Sequence, residues 1–189
     1  MGEDIVSQLG PLAQLAGVWE GSEGHDLSPS SDRKEAATPY RERMVFDPVG
    51  PVDNHEQCLF GLRYSTTAWR IGEDDPFHEE LGYWLWDPAA DQVMRCFMVP
   101  RGVMILAGGS VAADATSFEL EADLGSTTFG ICSNPFLDRE FRTVRYELEI
   151  SVRDGVLSYA EDLQMQMPSR ADLFHHRDSN RLKKVSGAV

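Results

Sequence analysis

Residues 142–150, "RTVRYELEI", set Val144, Tyr146, Leu148 and Ile150 against Thr143, Arg145, Glu147 and Glu149 in strict alternation. Only an extended strand converts a period of two into one apolar and one polar face; a helix would scatter these side chains around its axis. The stretch "TSFELEADL" repeats the pattern, with Thr116, Phe118, Leu120, Ala122 and Leu124 opposite Ser117, Glu119, Glu121 and Asp123. So does "LSYAEDLQMQM", through Leu157, Tyr159, Leu163, Met165 and Met167. A sheet built from such strands is antiparallel, with one face on a core and the other in water.

Further runs rich in Val, Tyr, Phe, Trp and Thr follow, and the expected strands are 17–24, 41–47, 56–66, 77–87, 91–99, 103–112, 116–124, 140–153, 156–167 and 173–184. Asp154-Gly155 in "VRDGVL" marks a tight hairpin, and "WDPAADQV" marks a second turn. No later segment offers a long helix. Residues 3–15 carry Ile5, Val6, Leu9, Leu12 and Leu15 at helical spacing, broken at Gly10-Pro11, which reads as a short broken helix or a pair of turns. The fold expected is all-β: a ten-stranded antiparallel up-and-down barrel of the lipocalin or fatty-acid-binding type with a short N-terminal helix. It is expected as one domain over 1–189, with 1–16 as a helical cap and 17–185 as the barrel. A two-sheet sandwich is the structural alternative. Residues 24–40, rich in Ser and Pro, and residues 125–139 read as long loops, a length that in compact domains accompanies lids and mobile segments.

The net charge of -14 argues against nucleic acid and against anionic membrane surfaces, both of which select clustered Lys and Arg. The acidic start carries no long apolar run, so neither a signal peptide nor a membrane span is expected. Cys58, Cys96 and Cys132 are too sparse for a disulfide framework and lack metal-ligand spacing, and a reducing cytoplasm is the expected compartment.

No phosphate loop, G-x-S-x-G elbow or H-E-x-x-H pair is present. Trp19, in "GVWEGSEG", reads as a plug at the closed end of the barrel. Glu73-Asp74-Asp75 and Glu79-Glu80 read as solvated acidic loops and faces, and Cys58 as a small core residue. Arg139, Arg142 and Arg145 could receive a ligand carboxylate or decorate an outer face. Among the histidines, His25 falls in the polar loop, while His55 and His78 each precede a strand. In "DLFHHRDSNRLKKV" the imidazole of His176 shares strand parity with Phe174 and Leu182, and His175 shares it with Arg177 and Arg181. If the apolar side faces inward, His176 points into the barrel and His175 out. An inward neutral imidazole suits an axial ligand of haem iron, given a second acceptor to fix its tautomer, and equally suits a hydrogen-bonded core histidine.

Four segments carry a family resemblance. "LAGVWEGSEG" resembles the G-x-W-x-G-x-G start of the nitrobindins, haem-binding barrels akin to fatty-acid-binding proteins. "YRERMVF" is similar to their Y-x-E-x-x-x-F run, "FHEELGYW" to their H-x-E-x-G-Y segment, and "DLFHHRDSNRLKKV" to their closing segment. The resemblance implies haem b held at the open mouth, with His176 as the proximal ligand and His78 on the distal side or rim. It also implies binding of nitric oxide at ferric iron, and some members are assigned the isomerisation of peroxynitrite to nitrate. The chain departs from the pattern at three places. The Tyr-Pro-Thr-Ile stretch gives way to 24–40, so no distal Thr carries over. Arg177 stands where Leu is usual, and "CSNPFLDREFRTVRY" is longer. Arg41, Arg63 and Arg177 are the candidate partners for haem propionates. An intracellular carrier of a small hydrophobic ligand is the alternative, and a homodimer is left open.

Overall fold

A computed structural model gives the fold, and it describes residues 5–168 and 170–187. Eleven strands close into a barrel: β1 Gly17–Pro29, β2 Glu35–Asp53, β3 Cys58–Arg70, β4 His78–Asp87, β5 Gln92–Val99, β6 Val103–Ser110, β7 Ser117–Leu124, β8 Gly130–Ser133, β9 Arg142–Arg153, β10 Val156–Gln166 and β11 Phe174–Ser186. Their order around the barrel is β1-β11-β10-β9-β7-β8-β6-β5-β4-β3-β2. Closure between β1 and β11 leaves no exposed edge to template aggregation.

The count differs from the ten expected because the segment 125–139 is not a bare loop. Gly130–Ser133 wedges in as β8, antiparallel to β6 and parallel to β7. It is followed by α1, Pro135–Glu140, whose first amides are capped by the Asn134 side chain. A larger correction concerns 24–40, expected as a loop. These residues extend β1 and β2 into a long hairpin that is paired from Gly24↔Tyr40 to Pro29↔Glu35. The hairpin carries the barrel wall past the apolar core: Asp26, Ser28 and Thr38 on its inner side line the open end, so polar residues fall on both of its sides and the run reads as a loop.

At one end, two 3-10 turns, Ile5–Gln8 and Gly10–Leu12, replace the expected helix; residues 3 and 4 lie outside the described residues. Leu9, Leu12 and Leu15 are buried there against Trp19 and Trp86. The Trp19 indole donates to the Leu15 carbonyl at 2.7 Å, which makes it the plug of the closed end. Gly10 has φ +54°, and a Cβ at this position would lie 2.6 Å from the Trp86 indole nitrogen, so only glycine turns the chain here.

The opposite end is open, framed by the β1–β2 tip, the β3–β4 and β5–β6 turns, α1 and the β10–β11 loop. Arg33 at the hairpin tip donates to Glu140 on α1 at 2.8 Å, and its guanidinium lies 5.0 Å from the Phe141 ring. The expected outward residue Thr143 is buried, because the β9–β10 register shifts between Gln164 and Met165 and Val144 takes up the bulge.

Candidate functional site

A cavity of about 610 Å³ runs inward from the open end. Met44, Phe97, Ile105, Val103, Leu163 and Met165 give it apolar walls, and Leu137 and Phe141 lie near its mouth. Two guanidiniums, Arg70 and Arg101, also line it. A larger hollow, about 1340 Å³, lies on the outside, among the outward side chains Glu119, Glu121, Glu147, Glu149 and Asp162.

The inner part of the cavity is polar, and strand parity explains how. Tyr40, Glu42, Met44 and Phe46 share one side of β2, so Glu42 is carried inward by its aromatic neighbours. Arg95 comes in with Val93 and Phe97 on β5, and Glu80 with Trp84 and Trp86 on β4. Arg95 is 2% exposed. It donates to Glu80 at 2.6 Å, to Tyr64 at 3.2 Å, and to Glu161 and Tyr146, and its guanidinium lies 4.1 Å from the Phe97 ring. A buried charge survives only when paired and hydrogen-bonded in this way. Burial pushes the Glu80 carboxyl up, but Arg95 and His78 outweigh it and hold the group at about 2.

A second network surrounds Glu42. It accepts from Thr66 at 2.8 Å, Tyr159 at 2.9 Å and Asn180 at 3.0 Å. No cation among the described residues bonds it, so burial dominates and raises its pKa to about 7. Tyr159 and Tyr40 lie 2.7 Å apart through their hydroxyls, and Tyr40 also bonds Asp178. Burial, reinforced by Glu161, pushes the Asp178 carboxyl well up.

The histidines divide between the two sides of the wall. His176 lines the cavity, with its side chain 29% exposed, and its Nε2 lies 2.8 Å from Asp26 Oδ1 on β1. His175 faces outward and pairs with Asp162 at 2.6 Å. His78 also lines the cavity, and its Nε2 lies 3.2 Å from Glu80 Oε1. Burial works against a charge on His78, yet the Glu80 hydrogen bond and the surrounding carboxylates prevail and lift its pKa to about 9. At neutral pH His78 is therefore an imidazolium, a donor without a lone pair for a metal. His25 and His55 are exposed and lie away from the cavity lining, His25 on a strand rather than in a loop.

Other candidates fall elsewhere. Arg139, Arg142 and Arg145 pair on the surface with Glu140, Asp138 and the Glu121–Asp123–Glu147 group. Arg41 stacks 4.3 Å from the Trp69 ring, Arg63 pairs with Asp47, and Arg177 is exposed beside Asp162. None of these three lines the cavity; Arg70 and Arg101 do. Cys58 is half-buried. Glu80, grouped with the solvated acidic residues, is buried instead, because only Glu79 takes the outward parity.

A family model described as "THAP4-like, heme-binding beta-barrel domain" matches residues 8–184. The chain belongs to this family, the nitrobindins. A peroxynitrite isomerase from Leifsonia xyli subsp. xyli (strain CTCB07) is 35% identical to this chain over 82 residues, 43% of this chain. The match spans 36% of that relative's length, about a third of it. A crystal structure of Rv2717c from M. tuberculosis superposes with a TM-score of 0.67 at 20% identity, covering 97% of this chain and 99% of the other, a likeness of fold. Membership gives this nitrobindin a haem-binding barrel as its family architecture. No helix among its described residues is long and apolar enough to cross a membrane.

Proposed function

We propose that the cavity holds haem b through His176, and that the protein binds nitric oxide or converts peroxynitrite to nitrate there. The observation that carries this reading is the His176–Asp26 pair in the cavity wall. A ligating histidine needs a carboxylate or carbonyl on its other nitrogen to fix tautomer and ring orientation. Asp26 occupies Nε2, which leaves Nδ1 as the nitrogen for a metal. The rest of the lining suits the same group: apolar walls for a macrocycle, and Arg70 and Arg101 for its propionates. Bound haem would supply a ferric iron with one protein ligand and one position open to a small molecule. His78, charged at neutral pH, brings a positive N–H to this cavity and favours an anion such as peroxynitrite. The isomerase activity of the Leifsonia relative supports the catalytic half of the proposal.

A second reading, a carrier of a small hydrophobic ligand, draws on a specific observation. His176 Nε2 is already satisfied by Asp26, and Arg95 is neutralised by Glu80 and Glu161, so the cavity holds a stable shape through protein contacts alone. Titration of hemin into the purified protein separates the two. Haem ligation gives a Soret band that the His176→Ala variant loses. No band in the parent protein removes the haem reading and leaves the carrier.

A further inference from the structure

The mouth of the barrel carries a roof in two halves. The first is α1, which hangs from the β5–β6 turn. There Asn134 donates through its side chain to the Arg101 carbonyl at 2.8 Å and through its amide to that of Gly102 at 2.9 Å. The segment ends at Phe141, one residue before β9. Leu137 and Phe141 are the side chains it turns into the cavity lining. Phe141 packs on Met165, Met167 and Phe174, so its ring covers the outer end of the β10 wall. A helix of a turn and a half does not persist by itself, so α1 keeps its place through these contacts.

The second half is the β1–β2 tip, whose flanks Ser28, Pro29 and Thr38 also line the cavity. The Ser30 amide closes the tip by donating to the Lys34 carbonyl at 2.8 Å. Arg33 sits there in left-handed backbone at φ +62°, a conformation uncommon outside Gly, Asn and Asp. In the strand order, β10 and β11 stand between β9 and β1. A contact from the tip to the residues just before β9 therefore bridges two strand positions at the open end. Arg33 makes that contact twice, to the Glu140 carboxylate at 2.8 Å and to the Phe141 ring at 5.0 Å. Part-exposed contacts of this kind are weak and exchange with water, which suits a fastening that has to open.

We propose that α1 and the β1–β2 tip are the two leaves of a gate over the cavity, that Arg33 is its latch, and that a ligand enters or leaves when Phe141 lifts off Met165. Trp19 plugs the opposite end, so the mouth is the way in. The gate belongs to the cavity whatever the cavity holds; only its effect on hemin rests on the haem reading. A closed gate keeps water from a bound group and sets its rate of exchange, while affinity stays with the walls.

Thiol labelling of the full chain tests the gate without any ligand. Met165→Cys is made together with Cys58→Ser, Cys96→Ser and Cys132→Ser, and the reaction with dithiodipyridine is followed. The new thiol is expected to react far more slowly than the exposed Cys132 does in the unaltered chain. Arg33→Gln and Glu140→Gln, added singly, are each expected to quicken it several-fold with unchanged thermal unfolding, and Phe141→Ala to quicken it further. Arg139→Ala removes a bond to Glu140 that lies within α1 and is expected to change nothing. Leu163→Cys, deeper in the same wall, repeats the test if Met165→Cys does not fold. A new thiol that reacts as fast as the exposed one, or a rate that neither Arg33→Gln nor Glu140→Gln raises, overturns the proposal. Hemin uptake and release are both expected to quicken in Arg33→Gln with little change in affinity. Absence of hemin binding strikes the haem reading alone, since the thiol rates decide the gate.

Discussion

The carboxylate of Asp26 holds one nitrogen of His176 and so decides which nitrogen remains for a ligand. Asp26→Ala is therefore expected to weaken hemin binding about 10- to 100-fold, the usual effect of losing a partner behind a ligating histidine, read by Soret titration. Glu42 supplies a different kind of test. Its pKa rises from 4.5 unfolded to about 7 folded, so the folded state holds the extra proton, and stability falls as pH climbs from 4.5 to 7. Glu42→Gln removes that loss. At pH above 7 the variant is expected to gain up to about 3 kcal/mol relative to its own difference at pH 4, measured by urea unfolding at both pH values. Arg95 works in the other direction. Arg95→Met strands Glu80 and Glu161 without a cation and is expected to cost about 3–5 kcal/mol. These interior charges were legible in principle, because Glu42 shares parity with Phe46, Glu80 with Trp84, and Arg95 with Phe97. Residue type points the other way, because an acidic side chain such as Glu80 is by default a solvated one. Asp26 could not be found by parity, since its stretch of β1 shows no alternation.

At the scale of elements, the barrel strands announce themselves where one face meets core and the other meets water, as in β7, β9 and β10. The signal fails where that contrast vanishes. The β1–β2 hairpin from Gly24 to Tyr40 turns Asp26, Ser28 and Thr38 toward the cavity and charged residues toward water, so both sides are polar and its composition is that of a loop. β8 is short enough that two of its four residues are Gly and Ser. The hairpin is held at its tip by Arg33 and Glu140. An ion pair this exposed contributes little, so Glu140→Ala is expected to leave global stability nearly unchanged. Amide exchange over 28–36 is expected to quicken, and an unchanged exchange pattern would show that the pair does not tether the hairpin. At the closed end, Gly10→Ala forces a side chain against Trp86 in a left-handed backbone and is expected to cost about 1–3 kcal/mol by thermal unfolding.

At the scale of the molecule, an acidic barrel encloses a network of paired charges, and that network shapes its response to pH. The Glu80 pKa is depressed, so its contribution is present above 4.5 and fades as pH falls toward about 2. The His78 pKa is raised, so its contribution is full below 6.5 and fades as pH rises through about 9. Stability is expected to be greatest between these limbs, on the slightly acidic side of neutral, and His78→Gln is expected to flatten the alkaline limb. The measurement closest to the central claim is a crystal structure of the protein grown with hemin. The account places the iron on a ring nitrogen of His176 inside the cavity, with Asp26 bonded to the other nitrogen. Iron bound to a surface histidine such as His25, or a cavity occupied by hemin without contact to His176, would contradict it.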